Sequence, residues 1–532
     1  MRPLIQEIDT THTPESLVEN LRDRSRRGEA KTGDGGVVLL RTSSFDSPKA
    51  RYSLVAAKPF LTFRSFGSRC EITPHASRLV PYVQYGNPWQ ILDALLARCE
   101  LLDEIDLPFP LGGGFGCWGY DLKNFVEPKL PRRAVNDLEL PDSHVGFYDS
   151  LVVFDHHLGK VCVVSTGLAA DGSRSEDRVR TQLEFWQTHL RKTLTPALSL
   201  SERATENDSS AGDEACDLQS RSDSRKLPPL PGERAGVISN FSRAGFLSAV
   251  ERAQRYIRAG DIYQVNLSQR LTAAGNFSGW ELFQRLGAVS PAPFSAFMDC
   301  DAGRRHGRFQ ITSSSPELFL RLSGSHIQTR PIKCTRPRNA DPTRDAQLAY
   351  ELQTSAKELA ELVMITDLLR NDLGKVCEFG SVQTPELARL ERFAQVQHLV
   401  STVEGRLRGE VTHLAALAAC FPGGSITGAP KFRAMEIIDE LEPLARGPYC
   451  GCHGYLGFNR ESQLSVTIRT AVCQDGLAHF HVGAGIVADS NPEAEYEETL
   501  AKAAGFLAAL NRSRPDTDLA MREGLPAVKS AG

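Results

Sequence analysis

No apolar run in this 532-residue sequence approaches the length of a membrane span, so a helical membrane protein is not expected. The opening stretch, MRPLIQEIDTTHTPE, carries acids and no apolar core, and does not read as a secretory signal. A charge excess is missing too. The formal net charge is −4, which gives no electrostatic reason to expect nucleic acid or an acidic surface as partner. The twelve cysteines form no paired knuckles. Scattered through a long chain, they suit a reducing cytoplasm rather than a disulfide scaffold. Cys450-Gly451-Cys452-His453 is a lone CxC and a weak zinc signal. There is no nucleophilic cysteine elbow with a following His-x-Glu, so no glutamine-hydrolysing site is expected. No internal repeat is visible.

What is present is an ordinary globular composition, 41% hydrophobic and 24% charged, enough for a sizeable core. Val37 to Leu40 and Arg51 to Val55 read as strands around a turn-rich patch at 43–49. Leu111 to Tyr120, LGGGFGCWGY, mixes five glycines with three aromatics, a pattern for close backbone approach. The spacing then predicts a helix from Ser242 to Ala259, a hairpin around Ser323-Gly324, and one long helix from Ala346 to Leu369. Further on it predicts strands at 456–458, Leu464 to Val472 and Ala478 to Val482, and a last helix from Pro492 to Leu510. Strands and helices in groups, without strict alternation, predict an α+β fold with antiparallel sheets. Composition divides the chain into 1–194, a polar insertion or linker at 195–235 too poor in large apolar residues to fold alone, 236–512, and a tail at 513–532.

Several stretches carry candidate chemistry. Arg330 to Arg338, RPIKCTRPR, sets Lys333 among three arginines and two prolines. Like charges disfavour an ammonium and make its amine easier to free as a nucleophile, whereas the bland alternative is a solvated basic loop. Glu317 follows Pro316 before an apolar strand, where a partly desolvated carboxyl would suit a general acid. Gly423 to Gly428 resembles a phosphate loop but lacks its lysine; what remains is a glycine turn into a helix N-terminus, able to receive an anion. Gly483 to Ala488, GAGIVA, fits a dinucleotide fingerprint only formally, because no βαβ unit follows. Glu361 and Glu498 read either as helix-surface partners of Lys357 and Lys502 or as the one or two carboxylates a magnesium ion requires. His398 alone reads as a structural histidine.

Taken in order, SSSPELFL, PIKCTRPR, AELVMITDLLRNDLGKV, QHLVSTVEGRL, FPGGSITGAPKFRAMEIIDELEP, GYLGF, SVTIRTAV, GAGIVADS and EAEYEETLAK resemble the chorismate-binding enzymes, most closely the component I branch of the aminodeoxychorismate synthases. The strong match runs from Ser242 to Leu510, and the N-terminal part is looser. The resemblance implies two antiparallel β-sheets packed as a sandwich with surrounding helices. It assigns Lys333 as nucleophile, Glu317 as the acid that expels the C4 hydroxyl, and His398 as an active-site histidine. It makes Glu361 and Glu498 ligands of Mg2+. Thr335, Ser425, Thr427, Tyr449, Arg469, Gly483, Ala484, Gly485 and Lys502 become substrate contacts. Lys333 itself separates this branch from the anthranilate synthases, which resemble PIA-G-T there, and Gln264 separates it from the isochorismate synthases. Cys334 departs from the pattern by replacing a glycine. The implied partners are chorismate, ammonia and a separate glutamine amidotransferase subunit, with no nucleic acid and no membrane.

Overall fold

The computed structural model describes residues 2–26, 36–42, 51–75, 77–101, 107–191, 236–275, 277–301, 307–392 and 396–511. The polar stretch 195–235, the 513–532 tail and the patch at 43–49 therefore lie outside the described residues.

Among the described residues the strands form two sheets of twelve, paired antiparallel along their ladders. The first runs from Leu4–Glu7 at one edge through Lys160–Ser165, Ser150–Asp155, Tyr52–Ala56 and Val38–Arg41. It continues through Phe294–Asp301, Arg308–Ser315, Thr470–Gln474, Leu477–Ile486 and Gln264–Ala274 to Val237–Ser239. In the second sheet, Gly113–Trp118 from the early part of the chain pairs with Cys452–Gly457 from the late part. In the first, Val38–Arg41 pairs with Phe294–Asp301 in the same way. Both sheets are thus stitched from both ends of the chain.

The sheets face one another across a shared core. Leu54, Met298 and Ile311 of the first and Phe115 and Tyr455 of the second belong to one buried cluster. Full burial of such a side chain stabilises by about 1.5–3 kcal/mol. Helices lie outside: Leu271 and Phe480 turn the other way to meet Leu282 and Phe506. Among the described residues no helix is long and apolar enough to cross a membrane.

Two elements differ from the sequence reading, and both differences shape the site. The long helix expected from Ala346 is two helices, Pro342–Thr354 and Ala356–Gly374. Ser355 leaves helical geometry between them and accepts a hydrogen bond from Glu358 N, starting a new helix. The strand expected from Leu464 to Val472 is also two, Glu461–Val466 in the second sheet and Thr470–Gln474 in the first. The chain changes sheet at Thr467 to Arg469, and Arg469 takes a φ of +49° to make the corner. The GAGIVA segment makes no turn: the strand Leu477–Ile486 runs straight through its glycines.

Candidate active site

Lys333 stands on Ile332–Pro337, opposite Leu399 of Val396–Arg406. The next register pair is Thr335 with His398, so Cys334 is the extra residue of a bulge. A bulge bends its strand, here directly after Lys333. His398 is buried, one strand over from the lysine. Lys333 Nζ lies 3.1 Å from Glu361 Oε2, with the two side chains 24% and 19% exposed. The surface pair of Glu361 with Lys357 considered from the sequence is not what forms. The like-charge reading of Lys333 also fails, because each arginine around it has its own acid. Arg330 bonds Glu391, Arg336 bonds Glu358 at 2.6 Å, and Arg338 bonds Asp345 at 3.0 Å.

Glu317 is 6% exposed. Burial pushes its carboxyl up to about 7, against the opposing pull of a hydrogen bond from Ser425 and the charge of Lys333. Ser425 comes from the glycine turn, a single 3-10 turn at Gly424–Ile426. The following Gly428–Ala429 pairs with Gln264 and Val265. Gly428 has a φ of +143°, and a Cβ there would sit 2.2 Å from Gln264 O, so only glycine fits. Thr427 spends its hydroxyl inside the turn, with Oγ1 3.1 Å from Gly423 O and 3.3 Å from Gly424 O.

The far wall is Leu477–Ile486. A Cβ on Gly485 would meet Gln264 Nε2 at 3.0 Å and Lys333 Nζ at 3.3 Å. One on Gly483 would meet Asn266 Oδ1 at 2.7 Å and Tyr449 Oη at 2.8 Å. Ala484, between them, is buried in the core on the opposite face of the strand. Tyr449 stacks on His481, ring centroids 4.9 Å apart. Arg446 lies 5.6 Å from the Tyr449 ring. It forms a buried pair with Glu442 and donates to Ile426 O at 3.1 Å and Asn266 O at 2.8 Å, tying the glycine turn to the sheet. Arg469, at the corner between sheets, has its guanidinium pushed below its ordinary value by burial and makes no ion pair among the described residues. A half-buried cation without an acidic partner among the described residues suits an anionic ligand.

Lys502 Nζ bonds Glu498 Oε1 at 2.7 Å and Gly483 O at 2.9 Å, bringing the last helix onto the same strand. No cluster of three or more metal-binding side chains occurs among the described residues. The donor chemistry nevertheless fits magnesium, which needs only one or two protein carboxylates beside water and substrate oxygens. Glu361 and Glu498 are hard oxygen donors, and each is bonded to a lysine ammonium that stands in for a cation.

The structure thus gathers Lys333, Glu361, Glu317, Ser425 and Gly485 at one place, and Tyr449, Gly483, Lys502 and Glu498 along the same strand. Gln264, Asn266, Arg446 and His481 join them without having been singled out as site residues from the sequence. Gln264 Oε1 and Asn266 Oδ1 are buried without a hydrogen-bond partner among the described residues, as ligand-facing groups often are. The alternation in Tyr263-Gln264-Val265-Asn266 was a signal for both, since it puts the two amides on one face.

Comparison with known proteins agrees with this geometry. The sequence profile of a family described as chorismate binding enzyme matches residues 42–508. The chain is 37% identical over 477 residues to aminodeoxychorismate synthase component 1 of Escherichia coli (strain K12), covering 89% of this chain and 93% of that protein. It is 41% identical over 409 residues to anthranilate synthase component 1 of Thermus thermophilus, covering 76% of this chain and 79% of that one. The crystal structure of anthranilate synthase component I from Streptococcus pneumoniae superposes with a TM-score of 0.68 at 29% identity, covering 86% of this chain and 93% of the other.

Proposed function

Because this chain belongs to the chorismate-binding enzyme family, we propose that it is the synthase component of an aminodeoxychorismate synthase, converting chorismate and ammonia to 4-amino-4-deoxychorismate. The observation that carries this reading is a lysine amine at Lys333, set between Glu361 and Gly485 and within electrostatic reach of the buried acid Glu317.

In the proposed reaction Lys333 adds at C2 of the ring while Glu317 gives its proton to the departing C4 hydroxyl. Ammonia then adds at C4, the bond from C2 to the lysine nitrogen breaks, and the amine of Lys333 is restored. Two easier displacements replace one hard one. A carboxyl raised to about 7 is half protonated near neutrality, which suits a proton donor. Arg469, Tyr449, the backbone N–H groups around Gly483 and Gly485, Thr335 and Lys502 receive the carboxylates. Ser425 and Thr427 shape the turn beside them, and His398 flanks Thr335. Glu361 and Glu498 would hold magnesium, which supplies Lewis-acid polarisation of the ring carboxylate when bound. Relatives carrying the name component 1 point to a second component, and we assign ammonia supply to a separate glutamine amidotransferase.

The test is product identification by mass after incubating the purified chain with chorismate, magnesium and an ammonium salt. Aminodeoxychorismate is expected, and no magnesium-dependent turnover would overturn the reading. The second reading, anthranilate synthase component I, is favoured by the 41% identity to the Thermus thermophilus protein. Anthranilate with released pyruvate would establish it instead.

A further inference from the structure

Resting on the metal reading above, we infer that Lys333 and a divalent cation are alternative partners of Glu361, so that Lys333 is freed for chemistry only when the cation takes its carboxylate.

Lys333 Nζ to Glu361 Oε2 is a direct ion pair at 3.1 Å between side chains that are less than a quarter exposed. Water screens such a pair less than a surface one. A dication bound to the same Glu361 carboxylate would set its charge against the ammonium 3.1 Å from Oε2, and like charges that close repel. Meanwhile Gly485 lacks the Cβ that would stand 3.3 Å from Nζ, so the amine has open space beside it toward the Leu477–Ile486 wall. Among the described residues Glu361 is the ion-pair partner of the nucleophile, and the missing Gly485 methyl leaves room for a shift away from it. The second carboxylate repeats the arrangement less tightly. Lys502 holds Glu498 at 2.7 Å, but both side chains are about half exposed and Lys502 has a second acceptor in Gly483 O. Two ammonium groups thus occupy the two carboxylates that one dication would claim, and the more buried exchange is at the nucleophile. Competition at one site is reciprocal: whatever the lysine subtracts from cation affinity, the cation subtracts from the lysine's hold on Glu361.

Binding, not turnover, is the test. Mn2+ titration of the full-length chain, followed by the electron spin resonance of the free ion and repeated with Mg2+ as competitor, compares the parent with Lys333→Met and Lys357→Met. Lys357 lies one turn before Glu361 on the same helix and serves as the control for bulk charge. Lys333→Met is expected to bind the cation about five- to tenfold more tightly, with Lys357→Met within twofold of the parent. Unchanged or weaker binding by Lys333→Met would overturn the exchange, as would equal tightening in both variants. Lys333→Gln, with thermal melts on each protein, guards against a folding artefact. A Glu361→Gln arm separates the two ideas: if it binds Mn2+ like the parent, the metal assignment itself fails. In a second readout, acylation of Lys333 by an amine reagent, mapped by peptide mass, should speed up on adding Mg2+.

Discussion

Two strands of this protein are rich in glycine, and they use it for opposite ends. In Gly113–Trp118 the missing Cβ atoms of Gly113 and Gly116 would strike the neighbouring backbone, while that of Gly114 would meet the Val145 and Leu96 side chains. The Gly113 position would meet Leu456 O at 2.6 Å and the Gly116 position His144 O at 2.0 Å. Those glycines let Cys452–Gly457 and Ser143–Tyr148 close on either side of a wholly buried strand. In Leu477–Ile486 the nearest atoms are the polar tips of side chains, Asn266, Tyr449, Gln264 and Lys333, with one backbone oxygen, Leu267 O, 3.0 Å from the Gly483 position. Backbone cannot move aside, whereas a side-chain tip can. One set of glycines is therefore a condition of the fold and the other a condition of the site. Glycine content alone does not tell them apart.

Replacing Gly116 with alanine should have the largest effect. The new methyl must displace a carbonyl in a central ladder, at a cost of about 3 kcal/mol or more. The expected result is loss of soluble, cooperatively melting protein, checked by expression and thermal denaturation. A normal melt would break the comparison at its structural end. Gly485→Ala comes next. Its methyl crowds Gln264 Nε2 and Lys333 Nζ, not backbone, so the melt should be retained. Turnover should fall roughly 100-fold, because a displaced reacting group is that costly. Full activity would remove this strand from the site.

How far the sequence alone reached follows the same division. The strand, hairpin and helix patterns around Leu477–Ile486, Gly324 and Pro492–Asn511 were legible because their periodicity is local. The sheet change at Thr467 to Arg469 was not. SVTIRTAV reads as one strand, and only pairing with two different sheets breaks it. Ser355 was similarly hidden, since a serine cap inside a helical pattern shows itself only when its side chain turns back to Glu358 N. Lys333 and Glu317 were visible as unusual residues, but the basic run around Lys333 misled. Its arginines are neutralised by Glu391, Glu358 and Asp345, acids 7 to 61 residues away in sequence. Arg446 and His481 had no motif to mark them, because their role comes from stacking on Tyr449.

Gly483→Ala sharpens the comparison inside the site. Its methyl would press on Asn266 Oδ1, Leu267 O and Tyr449 Oη, of which Tyr449 is assigned to holding substrate rather than reacting with it. The expected outcome is a KM for chorismate raised about tenfold with kcat nearly kept. A fall in kcat at constant KM would move Tyr449 into the chemical step. Kinetics with ammonium salts and a thermal melt suffice to decide.

The last test separates the two regions by pH. Beside the structural glycines, burial pushes the Cys117 thiol up to about 12, so it stays neutral across the working range. Beside the site, Glu317 titrates at about 7. Its folded value is raised above the ordinary 4.5, so the folded protein holds this proton more tightly than the unfolded chain. The resulting stabilisation is complete below the unfolded value and is lost as pH rises through about 7; its ceiling is about 3 kcal/mol. As the proton donor, Glu317 must be protonated to work. Turnover should therefore fall up to about tenfold between pH 6 and 8. The free-ammonia concentration must be held constant in that experiment, because its own rise with pH would mask the fall. Glu317→Gln should be slower throughout and lack the descending limb, and its melting temperature should vary less over the same interval. A parent profile that stays flat to pH 8 at constant free ammonia would take the acid role away from Glu317 and leave it a buried partner of Ser425.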